Sequence, residues 1–102
     1  VQGASTALFE NLQLKNGTLA NHSFVDYRIA TSVDAPFEII PIIVEVPEPT
    51  GPYGAKGVGE PGMVGVAPAI ANAVYDAIGI RFREIPLIPE KVLRALREKE
   101  QT

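Results

Sequence analysis

The apolar positions fall into two periods. In residues 3–12, Ala4, Leu8 and Leu12 recur every four positions, which predicts a short helix. Residues 23–29 alternate, with Phe24, Asp26 and Arg28 on one side and Val25, Tyr27 and Ile29 on the other, which predicts a strand. Residues 37–46, FEIIPIIVEV, are nearly continuous in Ile and Val and predict a second, largely buried strand, with Pro41 removing one ladder donor and favouring an edge or a bulge. Ile70, Val74 and Ile78 form an i, i+4, i+8 stripe that predicts a helix over 66–78, with Pro68 in its first turn and Gly79 at its end. Residues 80–86 alternate again and predict a short strand. Pro89 opens a last helix to about Lys99, with Val92, Leu93 and Leu96 as its seam and Arg94, Arg97 and Lys99 towards its negative end.

What lies between these elements is as informative. Lys15-Asn16-Gly17-Thr18 is a turn by its Asn-Gly step. Residues 47–62, PEPTGPYGAKGVGEPG, hold five Gly and four Pro and read as one long irregular loop, of the kind that is functional or disordered in a small domain. No repeat is evident, and nothing alternates strongly enough for a parallel βαβ sheet. The reading is α+β: short strands packed with two or three helices around a long Gly/Pro-rich active-site loop, in one domain of 102 residues.

Composition narrows the chemistry. A net charge of −3 argues against nucleic acid as a partner. With no Cys and a single His, His22, there is no disulfide framework and no thiolate or multi-histidine metal site. No run reaches the length of a membrane span. The chain opens on Val1-Gln2-Gly3-Ala4 without an initiator Met or a signal peptide, and reads as a piece of something longer.

Gly57-Val58-Gly59-Glu60-Pro61-Gly62 satisfies G-x-G-x-x-G, which keeps a small nucleotide-binding module as one alternative. That fingerprint requires a strand directly before it and N–H donors facing phosphate, whereas here Glu48 to Pro52 precede it, Pro61 deletes a donor and Glu60 adds negative charge. Lys56 is not followed by Ser or Thr, so a Walker A loop is excluded. Glu60 has two readings: a solvated carboxylate, as most are, or a general base held by a loop that Pro61 stiffens. The remaining candidates read more simply as structure. Asn16 and Asn21 match the glycosylation pattern by chance, Lys56 is a solvated lysine, Asn72 and Asp76 are a polar helix face, and Tyr27 and Tyr75 are half-buried packing residues.

The run Gly51-Pro52-Tyr53-Gly54-Ala55-Lys56-Gly57-Val58-Gly59-Glu60-Pro61 resembles the Gly-Ala-Lys-Gly-Val-Gly-Glu-Pro segment of the molybdenum hydroxylases, the xanthine dehydrogenase/aldehyde oxidase family. The likeness continues through Pro68-Ala69-Ile70-Ala71-Asn72-Ala73-Val74-Tyr75-Asp76-Ala77, through Gly79-Ile80-Arg81, and through Ile85-Pro86-Leu87-Ile88-Pro89-Glu90-Lys91-Val92. Upstream, Val1-Gln2-Gly3, Asp26-Tyr27-Arg28-Ile29 and Asp34-Ala35-Pro36 stand in the expected order. Three positions depart from the family pattern: Ile88 replaces a Thr that would cap the last helix, Ala30 replaces a Pro, and Gly62 replaces a second Pro.

The resemblance implies that residues 1–102 are the C-terminal part of a molybdopterin-binding domain, a fragment or split piece of a larger subunit. It implies that Glu60 is the catalytic base that deprotonates a water-derived oxygen nucleophile attacking an aldehyde, purine or N-heterocycle carbon. Gly57, Val58 and Gly59 would line the cofactor through their backbone, and no residue here would ligate the metal. The implied cofactor is molybdenum-molybdopterin, its dinucleotide form left open, with [2Fe-2S] and FAD on partner domains or subunits. The implied partners are the remainder of the molybdenum subunit, the iron–sulfur and flavin components and a small-molecule substrate, in the cytoplasm, with the isolated chain inactive. A non-catalytic structural or interaction domain of the same ancestry is the other alternative.

Overall fold

In the computed structural model, which describes residues 1–101, four helices and one minimal ladder punctuate a largely irregular chain. Helix α1, Gln2–Leu8, starts with the Ser5 N–H donating to the Val1 carbonyl at 2.9 Å. It ends at Phe9, where the Phe9 and Glu10 N–H groups share the Ser5 carbonyl. This is earlier than the predicted 3–12, because Asn11 and Gln13 are drawn into another unit. The Asn21 side chain accepts from the Gln13 N–H at 2.8 Å and donates to the Asn11 carbonyl at 2.6 Å, clamping the base of a hairpin. That hairpin pairs β1, Leu14–Lys15, antiparallel with β2, Thr18–Leu19. Asn16 and Gly17 turn at φ 51° and 79°, the doubly left-handed geometry that Asn-Gly favours.

Helix α2, Pro61–Val64, runs almost directly into α3, Val66–Ile78, through a right-handed Gly65. Helix α3 occupies the residues its apolar period predicts and stops at Gly79, whose φ of 68° is the left-handed C-terminal cap that glycine adopts without penalty. Helix α4, Pro89–Glu100, begins at Pro89 after an extended Ile88 that offers no side-chain cap. Its Lys99 ammonium donates to the Ile78 carbonyl at 2.7 Å, tying the ends of α3 and α4.

Helix α1 is the hub. Gly3 lies so close to α3 that a Cβ there would stand 2.7 Å from the Val66 Cβ. Ser5 Oγ accepts from the Ala30 N–H at 2.9 Å, and the Ala7 carbonyl accepts from the Leu87 N–H at 2.7 Å, so both downstream segments lean on α1. Ala7 and Leu87 are the buried apolar side chains among the described residues. The radius of gyration is 18.0 Å, where about 13 Å is ordinary for a compact domain of 100 residues.

The three predicted strands do not form. Residues 23–29 turn instead: the Asp26 and Tyr27 N–H groups fold back on the Ser23 carbonyl, and the Tyr27 hydroxyl donates to Glu10 at 2.6 Å. Residues 38–48 pass without turn, bend or ladder, and Ile42, Ile43 and Val44 are more than 80% exposed. Residues 80–86 run beside α3 with side chains as their ties, Arg81 donating to Asn72 at 2.6 Å and stacking 3.9 Å from the centre of the Tyr75 ring. Alternating or continuous apolar residues mark a need for burial. A strand also needs a neighbour, and among the described residues no other strand lies beside these segments. The α+β class therefore stands only in its coarse form, helices with a two-stranded ladder around the turn that Asn16-Gly17 predicts.

Candidate active site

The segment carrying Glu60 has a tight half and an open half. In the tight half, the Glu48 N–H donates to the Gly54 carbonyl, Gly51 to Glu48, Gly54 to Gly51 and Ala55 to Pro52, closing residues 48–55 on themselves. The Glu48 carboxylate accepts from both the Thr50 N–H and the Thr50 hydroxyl, which holds its carboxyl below the usual range. Gly51 is required here, since a Cβ would run into the Ala55 carbonyl oxygen. A Pro52–Gly54 turn of 3-10 type, with Tyr53 at φ 56°, completes the fold-back.

The open half is residues 56–60. No backbone N–H from Lys56 to Glu60 donates to another group among the described residues. Positions 57 and 59 have open space where a Cβ would sit, and Val58 is 89% exposed. Glu60 follows at the mouth of α2, its carbonyl accepting from the Met63 N–H at 3.0 Å, with Pro61 as the first helical residue.

Glu60 is met from the far end of the chain. Gln2 Nε2 donates to Glu60 Oε1 at 3.4 Å. The two stand on the rim of a groove of about 220 Å³, with Gly3, Gly59, Met63 and Val66 among its walls. The close packing of Gly3 on Val66 is what places Gln2 there. Sequence reading singled out Glu60 and Gly59, which the groove brings together, and missed Gln2, since nothing in its spacing signals a neighbour 58 residues away. Gly57 and Val58 do not line the groove.

The other candidates settle as structure. Asn72 is the acceptor for Arg81, the Tyr75 ring lies under the Arg81 guanidinium, and Tyr27 is half-buried against Glu10. The G-x-G-x-x-G run follows the fold-back of residues 48–55 rather than a strand and ends in a four-residue helix, so the geometry a dinucleotide fingerprint needs is missing. A larger, mostly apolar groove of about 360 Å³ between the start of α3 and residues 81–87 does not reach Glu60. Among the described residues, no group of three or more His, Cys, Asp or Glu side chains is placed to hold a metal ion, and no helix is long and apolar enough to cross a membrane.

No family model matches the chain. Individual proteins do. It is 38% identical over 96 residues to the aldehyde oxidoreductase molybdenum-binding subunit of Escherichia coli, matching 92% of this chain and 13% of that protein. It is 44% identical over 100 residues to the nicotine 6-hydroxylase large subunit of Paenarthrobacter nicotinovorans, matching 93% of this chain and 12% of the other. A putative xanthine dehydrogenase molybdenum-binding subunit of Escherichia coli is 38% identical over 92 residues. In three dimensions the chain is similar to quinoline 2-oxidoreductase from Pseudomonas putida 86, with a TM-score of 0.83 and 30% identity over 95% of this chain and 13% of that one. The chain thus spans about an eighth of the length of the relatives it matches. Matched along nearly its whole length in sequence and in backbone, it belongs to the molybdenum-binding subunits of the xanthine dehydrogenase and aldehyde oxidoreductase family.

Proposed function

We propose that residues 1–102 are the C-terminal part of a molybdopterin-binding domain, and that Glu60 is the general base of a hydroxylase that inserts water-derived oxygen into an aldehyde, purine or N-heterocycle carbon. The observation that carries this is the position of Glu60: a carboxylate on a groove rim, at the end of a run of unbonded backbone N–H groups, in a segment aligned with molybdenum-binding subunits.

The chain's groups fit a cofactor that brings its own metal donors. Gly57, Val58, Gly59 and their neighbours offer free N–H donors and space at Cα, which suits the polar edge of a pterin or its phosphate better than a bare cation. When bound, the molybdenum-molybdopterin group supplies the redox centre that takes up the substrate's electrons, with [2Fe-2S] and FAD on partner domains or subunits carrying them onward. What this chain supplies is the proton acceptor. Gln2 donates to Oε1 of Glu60, which leaves the second oxygen as the one to accept a proton, and Pro61 with the start of α2 keeps the backbone behind it in place. The closed turn at 48–55 anchors the other end of the open run.

The test is Glu60→Gln in the complete enzyme. The amide keeps the shape but accepts no proton, so turnover is expected to fall by ~10²–10⁴-fold at unchanged molybdenum content. Glu60→Asp is expected to lose activity too, by withdrawing the carboxylate. Full turnover of Glu60→Gln at normal molybdenum loading would refute the assignment and leave the non-catalytic reading of this domain.

A further inference from the structure

The least satisfied part of the molecule is residues 37–46. Every residue of the run is exposed, including Phe37, Ile39, Ile40, Ile42, Ile43, Val44 and Val46. None of its backbone N–H or C=O groups is paired with another main-chain group among the described residues. In a strand conformation, Ile40, Ile42, Val44 and Val46 fall on one face and Phe37, Ile39 and Ile43 on the other, so both faces are apolar. That is the composition of a strand covered on both sides, not of one that faces water. The same alternation divides the backbone donors between the two edges. Pro41 removes a donor from the odd-numbered edge, whereas Glu38, Ile40, Ile42, Val44 and Val46 leave the even-numbered edge with an unbroken row of N–H groups.

We propose that residues 38–46 dock as a strand, through their even-numbered edge, onto an open sheet edge in the remainder of the molybdenum subunit, and that this docking fixes the Glu60 loop that follows directly. The occupant is chosen by two observations. The relatives are about eight times as long as this chain, so most of the subunit's layers lie outside it. A second copy pairing edge to edge would satisfy the donors and still leave two apolar faces in water, whereas a layered subunit covers both. The consequence for the site is mechanical. The closed turn at 48–55 begins two residues after Val46, so a docked strand would hold one end of the loop while α2 holds the other.

This inference rests on the chain being part of a larger molybdenum subunit. It is tested by amide hydrogen exchange on the complete subunit, resolved to single residues by fragmentation mass spectrometry. The amides of Ile40, Ile42 and Val44 are expected to exchange about 100-fold or more below the free-amide rate. Exchange within a few-fold of that rate overturns the docking. So does protection that appears only as the complete subunit dimerises with rising concentration, since a second copy would then be the occupant. Glu60→Gln in the same preparation separates the failures: lost turnover with unprotected amides sinks the docking alone, and protected amides with full turnover sink the base assignment alone.

Discussion

Ser5, Glu10 and Tyr27 show how much a few polar atoms do in a chain with so little buried apolar surface. The Ser5 hydroxyl and then the Tyr27 phenol hydrogen-bond Glu10 and hold its carboxyl below the usual range, while the carboxylate, through that same bond, pushes the Tyr27 phenol up. A lowered carboxyl contributes stability that is complete above its unfolded value, near pH 4.5, and is lost as pH falls through its folded value. The raised phenol contributes below its unfolded value, near pH 10, and loses that contribution as pH rises further. The bond is therefore whole from mildly acidic to mildly alkaline solution. Tyr27→Phe is expected to flatten the acid side of the melting-temperature profile of the complete subunit, and profiles that run parallel would show that the bond is not felt. Asn21 is the other residue of this kind. Replacing it by Ala leaves the Gln13 N–H and the Asn11 carbonyl without partners and is expected to cost ~1–3 kcal/mol, readable as a lower urea midpoint.

At the scale of elements, the turn at Asn16-Gly17 offers a clean test of backbone preference. Gly17 sits at φ 79° with nothing within 4 Å of where a Cβ would be, so Gly17→Ala meets no clash and registers conformational cost alone, expected near ~1 kcal/mol. A neutral substitution would mean that the hairpin is not held to this turn. Helices α3 and α4 were legible in the sequence almost to the residue, because an apolar stripe, a first-turn Pro and the glycine that ends α3 are all local signals. The strands were not, because their signal reports only that side chains seek cover. Residues 23–29 satisfy part of that need by turning towards Glu10, and residues 80–86 by leaning on α3. At the site, the part proposed for Glu60 rests on the family resemblance; its place in a Gly-rich, Pro-bounded loop was legible. Gln2 was not, because its place depends on how α1 meets α3, a tertiary fact that no local pattern carries.

At the scale of the whole molecule, an extent of 58 × 36 × 27 Å and, among the described residues, two buried apolar side chains describe a chain without a core of ordinary size. Taken alone it is expected to bind an apolar dye such as ANS and to melt over a broad range. A sharp calorimetric transition from the isolated chain would contradict this. It is also expected to retain no molybdenum through purification, since one open loop supplies few donors. Among the contacts that order it, Gly3 against Val66 couples two positions far apart in the chain into a single unit of variation. An Ala at position 3 would stand 2.7 Å from the Val66 Cβ, an atom that every residue but glycine carries, so Gly3→Ala should be harmful beside Val66 and beside an Ala alike, and eased only by a glycine at 66. Across diverging lineages the two sites would drift together or not at all, and a change at either would reach Glu60 through the neighbouring Gln2 without touching the loop.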